Sequence, residues 1–306
     1  MPAWETPVAL LLALSPTGVA WVAGLFGLLV GSFLNVVVHR LPRMMQAAME
    51  QEAREILHPA SAPEAGPLGI HPSFNLITPR SHCPACKAPI LARHNVPLLS
   101  WLWLGGRCAA CQAPVSVRYP VVELLTGLLF AIVAWKFGVT PETALALLVT
   151  ALLIALAVID FDTQYLPDTL TLPLLWLGLL AAVLLGRGAA PLPVAPAEAI
   201  VGAVVGYLSL WSVYWAFRLI TGREGMGYGD FKLLAALGAW LGWTAIPLII
   251  LLSAVVGALV GGGLILFRGR DHQLPMPFGP FLAAAGWVAL LWGPGLVDWY
   301  RGLSGL

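Results

Sequence analysis

Eight apolar runs of membrane-crossing length decide what this chain can fold into. A hydrocarbon core roughly 30 Å thick needs about 20 apolar residues per spanning helix, because backbone groups deprived of water must satisfy one another within the segment. The runs cover residues 18–38, 120–136, 142–160, 169–186, 197–218, 231–246, 247–267 and 279–297. Only 10% of the 306 residues are charged and the mean hydropathy is +0.86. Soluble domains carry about 25% charged residues, so the bilayer is the expected solvent. The expected fold is an all-α polytopic membrane protein with about eight transmembrane helices. Residues 1–17 contain no Lys or Arg and so lack the positive region of a secretory signal, which makes the first run a retained membrane helix.

Charge orients these helices. Placing residues 39–119 in the cytoplasm puts the loops at 161–168, 219–230 and 268–278 there as well, with both termini outside. Thirteen of the sixteen Lys and Arg then lie on the cytoplasmic side, leaving Lys136, Arg187 and Arg301 opposite, as the positive-inside rule requires. Trp21, Trp135, Trp240, Trp243 and Trp299, near the ends of runs, fit interfacial anchors and core packing equally. A net charge of +1 offers no basic field to nucleic acid.

The resulting organisation is an N-terminal helix (1–38), a polar loop domain (39–119) and a seven-helix membrane domain (120–306). Within the loop domain, residues 44–56 are rich in Ala, Glu and Gln and predict a short helix, and the Pro- and Gly-rich residues 59–72 predict a flexible linker. The chain shows no repeat of the kind that marks inverted-repeat transporters.

All four cysteines fall in this loop, as Cys83-Pro-Ala-Cys86, 21 intervening residues and Cys108-Ala-Ala-Cys111. Two C-x-x-C knuckles at this spacing predict one tetrahedral zinc site with four thiolate ligands. A pair of disulfides is the alternative, which a reducing cytoplasm disfavours. Four protein ligands leave no open position for water, so the zinc would be structural. His82 and His94 lie close enough in sequence to replace a ligand, although a loop histidine is commonly just solvated.

Ionisable side chains at membrane depth are costly and point to function. Asp160 ends the third run and Asp230 opens the sixth, and the topology derived from charge brings both to the cytoplasmic face. Two carboxylates sharing a water can divide peptide hydrolysis, one taking its proton while the other polarises the scissile carbonyl. Asp162 rivals Asp160, two residues away and expected nearer solvent. Gly227 and Gly229 would let the backbone approach an extended substrate. Lys232 and Glu123 are further substrate-site candidates, though Glu123 could simply favour a helix N-terminus. Asp168, after Pro167, reads as a helix N-cap.

Together these residues resemble the bacterial type 4 prepilin peptidases. The resemblance covers nearly the whole chain. It rests on Gly31-Ser-Phe-Leu-Asn35-Val-Val-Val-His39-Arg40-Leu-Pro42, the two cysteine knuckles, Arg118-Tyr-Pro-Val-Val-Glu123, Ile159-Asp160 through Pro167-Asp168, and Glu224-Gly-Met-Gly227-Tyr-Gly229-Asp230-Phe-Lys232. It implies Asp160 and Asp230 as the catalytic pair of an aspartyl protease in the bacterial inner membrane, active at the cytoplasmic face. The implied substrates are type IV prepilins and pseudopilins, cut after a Gly that ends a basic leader. It also implies N-methylation of the new N-terminus from S-adenosylmethionine, with Gly106 and Arg107 as neighbours of interest in the cysteine loop. The competing function is a polytopic transporter or channel. A zinc metalloprotease is disfavoured because no H-E-x-x-H occurs.

Overall fold

The computed structural model describes residues 15–57, 74–186, 192–268 and 276–304. The linker expected at 59–72 and Arg187 lie outside the described residues. The chain forms α1 (Pro16–Leu57), a short α2 (Leu99–Trp103), α3 (Arg118–Phe137), α4 (Pro141–Thr163), α5 (Asp168–Leu185), α6 (Pro196–Thr221), α7 (Tyr228–Leu241), α8 (Ile246–Arg268) and α9 (Gly279–Ser304). Among the described residues there are no strands, only two isolated bridges. All eight expected runs fold as helices, and seven helical segments are long and apolar enough to cross a membrane.

The exception is the run expected at 231–246. It folds as α7, whose 14 residues reach roughly 21 Å at 1.5 Å per residue, short of a hydrocarbon core. Gly242, at φ +79°, ends the helix there, and a 3₁₀ turn (Trp243–Ala245) hands the chain to α8. The first helix departs in the other direction. Instead of a span ending at 38 and a separate helix at 44–56, α1 is one helix of 42 residues that passes through Pro42. Its C-terminal part, rich in Ala, Met, Glu, Gln and Arg, has enough helix propensity to continue despite the lost N–H. At roughly 63 Å it is about twice the thickness of a bilayer core.

Contacts divide the chain into two compact units, Met1–Trp135 and Lys136–Leu306. In the first, α1 and α3 approach closely at glycines. A Cβ on Gly27 would lie 2.8 Å from that of Phe130, and one on Gly31 would lie 2.7 Å from the Glu123 Cα. Small residues at such crossings allow backbone packing that lipid cannot replace. Arg40, buried on α1, donates to the carbonyls of Asn75 (2.8 Å) and Pro79 (2.6 Å), tying the start of the cysteine segment to the helix.

In the second unit α7 is the central element, packed by α5, α6 and α9. Every residue from Leu233 to Trp240 is buried, which accounts for a helix apolar on all sides. Gly202 of α6 and Gly238 of α7 bring their backbones into contact, and the Trp240 indole donates to the Leu174 carbonyl at 2.8 Å. A short α7, enclosed from Leu233 to Trp240, gives a rigid platform for whatever its first turn carries.

Candidate active site

The end of α4 and the starts of α5, α7 and α9 meet at one end of the second unit. Three contacts establish this. Asp160, in the last turn of α4, accepts the Gly279 N–H at 3.0 Å through Oδ2. Leu166, in the turn after α4, backs onto Gly229 and Gly279: Cβ atoms on those glycines would lie 2.7 and 3.1 Å from it. Lys232 Nζ donates to both carboxylate oxygens of Asp168 at 2.7 Å. The two aspartates expected from the sequence thus stand at the same end of the unit, Asp160 on Gly279 and Asp230 next to Gly229, with Leu166 against both glycines. The aspartates are 5% and 6% exposed, whereas Asp162, the rival at the end of α4, lies at the surface.

Local sequence explains each placement. Gln164 adopts the left-handed conformation that closes α4, with its N–H on the Asp160 carbonyl, and Leu166-Pro167 then redirects the chain into α5. Asp230 sits in the first turn of α7 between two aromatic anchors. The Tyr228 and Phe231 rings pack against Tyr214 of α6 at 5.3 and 5.6 Å between centroids. The two glycines before Asp230 differ. Gly229 is held against Leu166, where any side chain would collide, but Gly227 is exposed and nothing approaches its Cβ position closer than 4.0 Å.

Asp168 departs from the N-cap expectation. Pro167 occupies the cap, Asp168 lies in the first turn, and its carboxylate is taken by Lys232. Lys232, expected at the substrate, links α5 to α7 through this pair. Both side chains are partly exposed (30% and 45%), so solvent screening limits the pair to about 1 kcal/mol. A double-mutant cycle on thermal unfolding with Lys232→Ala and Asp168→Ala should return a coupling of that order. Additive single effects would mean the two side chains do not act together.

Glu123 and the cysteines belong to the first unit. Buried Glu123 accepts the Leu98 N–H at 2.8 Å, holding a tight turn in which Leu98 has φ +58° and Leu99 donates back to Pro97. The four cysteine Sγ atoms all lie within 4.8 Å of one another. Those of Cys83 and Cys111 are 3.8 Å apart, far longer than a disulfide. Thiolates at 2.3 Å from a tetrahedral ion stand about 3.8 Å apart, so this donor set fits such an ion. The N–H groups of Cys86 and Ala85 pull the Cys83 thiol down to about 6, whereas Cys111, in spite of the Ala113 backbone, is pushed up to about 11 by the neighbouring Cys86 thiol, so the metal-free cluster keeps part of its protons.

The knuckles are copies of one design, which the reading for transporter-type repeats missed. In Cys83-x-x-Cys86-Lys-Ala-Pro89 and Cys108-x-x-Cys111-Gln-Ala-Pro114 the residue after the second cysteine has positive φ (Lys87 +58°, Gln112 +60°). Its N–H returns to the first cysteine's carbonyl at 2.9 and 3.0 Å, and bridges His82 to Pro89 and Arg107 to Pro114 close each loop. The repeated C-x-x-C-x-A-P was the available signal. Gly106 is buried with its Cβ position 2.9 Å from the Trp101 ring, while Arg107 is exposed. Gly279 was not anticipated at all, because its contribution is a backbone N–H that no side-chain pattern announces.

Comparison with known proteins finds matches in both units. Residues 25–137 match the bacterial peptidase A24 N-terminal domain, and residues 147–262 match the type IV leader peptidase family. The chain is 54% identical over 298 residues to a prepilin leader peptidase/N-methyltransferase of Aeromonas hydrophila, covering 96% of this chain and 98% of that one. It is 50% identical over 281 residues to the protein of the same name in Pseudomonas aeruginosa, covering 92% and 93%. No solved structure matches. With both family models matched in order and half or more of the residues shared along nearly the full length of these relatives, the chain belongs to the type IV leader peptidase family.

Proposed function

We propose that this chain is a membrane aspartyl endopeptidase that removes the basic leader of type IV prepilins and pseudopilins after a Gly, and then N-methylates the new N-terminus with S-adenosylmethionine. The observation that carries the proteolytic reading is the pair of buried carboxylates, Asp160 and Asp230, brought from separate helices to one end of the bundle. Like charges at close quarters resist double ionisation, so the pair shares one proton. The ionised member takes a proton from water as the water oxygen bonds to the scissile carbonyl carbon. The protonated member donates to the carbonyl oxygen, giving a neutral gem-diol. Collapse breaks the C–N bond, a proton passes to the leaving nitrogen, and the leader departs as a carboxylic acid.

The Gly279 N–H fixes Oδ2 of Asp160, which leaves Oδ1 to serve the water. A Cβ at Gly279 would lie 2.6 Å from that oxygen, so Gly279→Ala must displace either the carboxylate or the start of α9. Cleavage should fall about 10²-fold, the usual cost of misplacing a reacting group by an ångström. The bound metal should stay unchanged, because the cysteines lie in the other unit. Wild-type cleavage by this variant would remove the assigned role of the amide.

Cys83, Cys86, Cys108 and Cys111 would hold a structural zinc ion, which supplies folding energy and no activated water. S-adenosylmethionine supplies an electrophilic methyl group for the free amine. Gly106 is committed to the Trp101 ring, which leaves exposed Arg107 as the loop's candidate contact. The location that suits the reaction is the bacterial inner membrane with the carboxylates at the cytoplasmic face. Lys232 stands at the carboxylate end of the second unit, as positive-inside orientation requires. The deciding experiment incubates the purified protein in lipid with a prepilin precursor and locates the cut by mass spectrometry. Cleavage after the leader Gly is expected, and intact precursor across several lipid compositions would favour a transporter or channel.

A further inference from the structure

One stretch of chain, residues 276–281, joins the carboxylate pair to an apolar groove. The carbonyl carbon of Phe278 is bonded to the Gly279 nitrogen that donates to Asp160. On its other side this stretch faces α8. Met276, Phe278 and Phe281 form one wall and Ala254, Gly257 and Ala258 the other, enclosing about 230 Å³. The Phe281 ring comes within 3.4 Å of where Gly257 would carry a Cβ, and the Met276 methyl within 3.3 Å of the same position on Gly261. α8 is also the least buried of the seven spanning segments, with 11% of its apolar window inside the protein, so the groove opens outward.

Size and chemistry narrow the occupant. Small-molecule pockets begin at roughly 300 Å³ and carry convergent polar groups, whereas this groove is smaller and lined by apolar side chains and glycine. It has room for one or two apolar side chains of a passing segment. Within a bilayer such a segment gains little by leaving lipid, so close packing on small residues must hold it, and Ala254, Gly257 and Ala258 supply them.

Resting on the proteolytic reading above, in which the basic leader lies on the N-terminal side of the cut and does not suit an apolar lining, we propose that this groove is the subsite for the first apolar side chains on the C-terminal side of the scissile bond. The segment enters sideways from the bilayer along α8. Its backbone is delivered to the carboxylates by the stretch that positions Asp160.

The test uses full-length protein in lipid vesicles and two substrates, a complete precursor and a peptide that stops one residue beyond the scissile bond. Gly257→Leu, which fills the groove, should lower kcat/KM on the precursor at least ~10-fold, mainly through KM, and change cleavage of the short peptide less than ~2-fold. Gly263→Leu, on the same helix with nothing within 4 Å of its Cβ position, should match wild type on both. Equal losses on the two substrates, or no loss on the precursor, would overturn the proposal. A photo-crosslinker at position 258 in the Asp160→Asn background gives a readout independent of catalysis and of how well Gly257→Leu folds. Crosslinks should map just beyond the scissile bond. Crosslinks only to lipid, to a second copy of the chain or to the leader would refute the subsite. Cleavage by Asp160→Asn within ~10-fold of wild type would refute the carboxylate reading and leave the crosslink map to judge the groove.

Discussion

Asp160→Asn and Asp230→Asn should each reduce cleavage of a prepilin precursor by ~10³-fold or more, with the protein still inserted and folded. An amide fills the same space and still accepts the Gly279 N–H, so the first change removes a proton-transfer group and leaves the geometry nearly intact. The argument for Asp230 is parallel, since Tyr228 and Phe231 hold its turn against Tyr214 whatever the side chain between them. Burial makes the losses large. At 5% and 6% exposure, bulk water cannot take over the missing role. Combining both changes should cost little beyond either alone, because the two carboxylates act as one unit. Asp162→Asn is the control, since its side chain is exposed and it should retain most activity. The measurement is a single-turnover cleavage rate at matched protein in lipid, with thermal unfolding beside it. Activity surviving in either member of the pair, or lost only in Asp162→Asn, would dismantle the dyad.

Much of this was legible in the sequence because it is written in side-chain chemistry. Apolar runs located the helices, since the bilayer imposes a length, and the loop charges placed Asp160 and Asp230 at a common end before any contact was known. The cysteines announced themselves by spacing. What the sequence concealed lies in backbone and packing. Gly279 acts through its N–H and through the lack of a Cβ, and neither differs in sequence from an ordinary helix-start glycine. α7 stops at Gly242 although the apolar pattern runs on, because hydropathy does not distinguish a span from an enclosed short helix followed by a turn. α1 continues past 38 because a lone Pro42 kinks a helix without having to end it. The pairing of Lys232, a substrate-site candidate, with Asp168 64 positions earlier was likewise hidden, because only the fold brings the two together.

Replacing Cys83 and Cys86 by Ser should abolish zinc binding and methyl transfer while leaving peptide cleavage within about 10-fold of wild type. The four Sγ atoms form a closed donor set, and a hydroxyl is a far weaker zinc ligand than a thiolate, so losing one knuckle halves the set and releases the ion. The segment has little else to hold it. Among 74–117 the only helices are a 3₁₀ turn at Ala92–His94 and the five residues of α2, and most side chains are exposed. With the metal gone, the turns at Lys87 and Gln112 lose the thiolate cluster that offsets their positive φ. Arg107, placed by the second knuckle, goes with them, so any methyl-donor contact it makes fails first. The carboxylates are positioned by α4, α7 and α9, and all of these packing partners lie in the other unit. Cleavage should therefore fall only as far as the loop helps to hold the leader. Elemental analysis, methylation and cleavage assays on matched preparations decide the matter. A cysteine variant that loses cleavage and methylation in equal measure while its second unit stays folded would show that the metal domain takes part in proteolysis, and disulfides in metal-free wild type would sink both the structural zinc and the cytoplasmic placement of the loop.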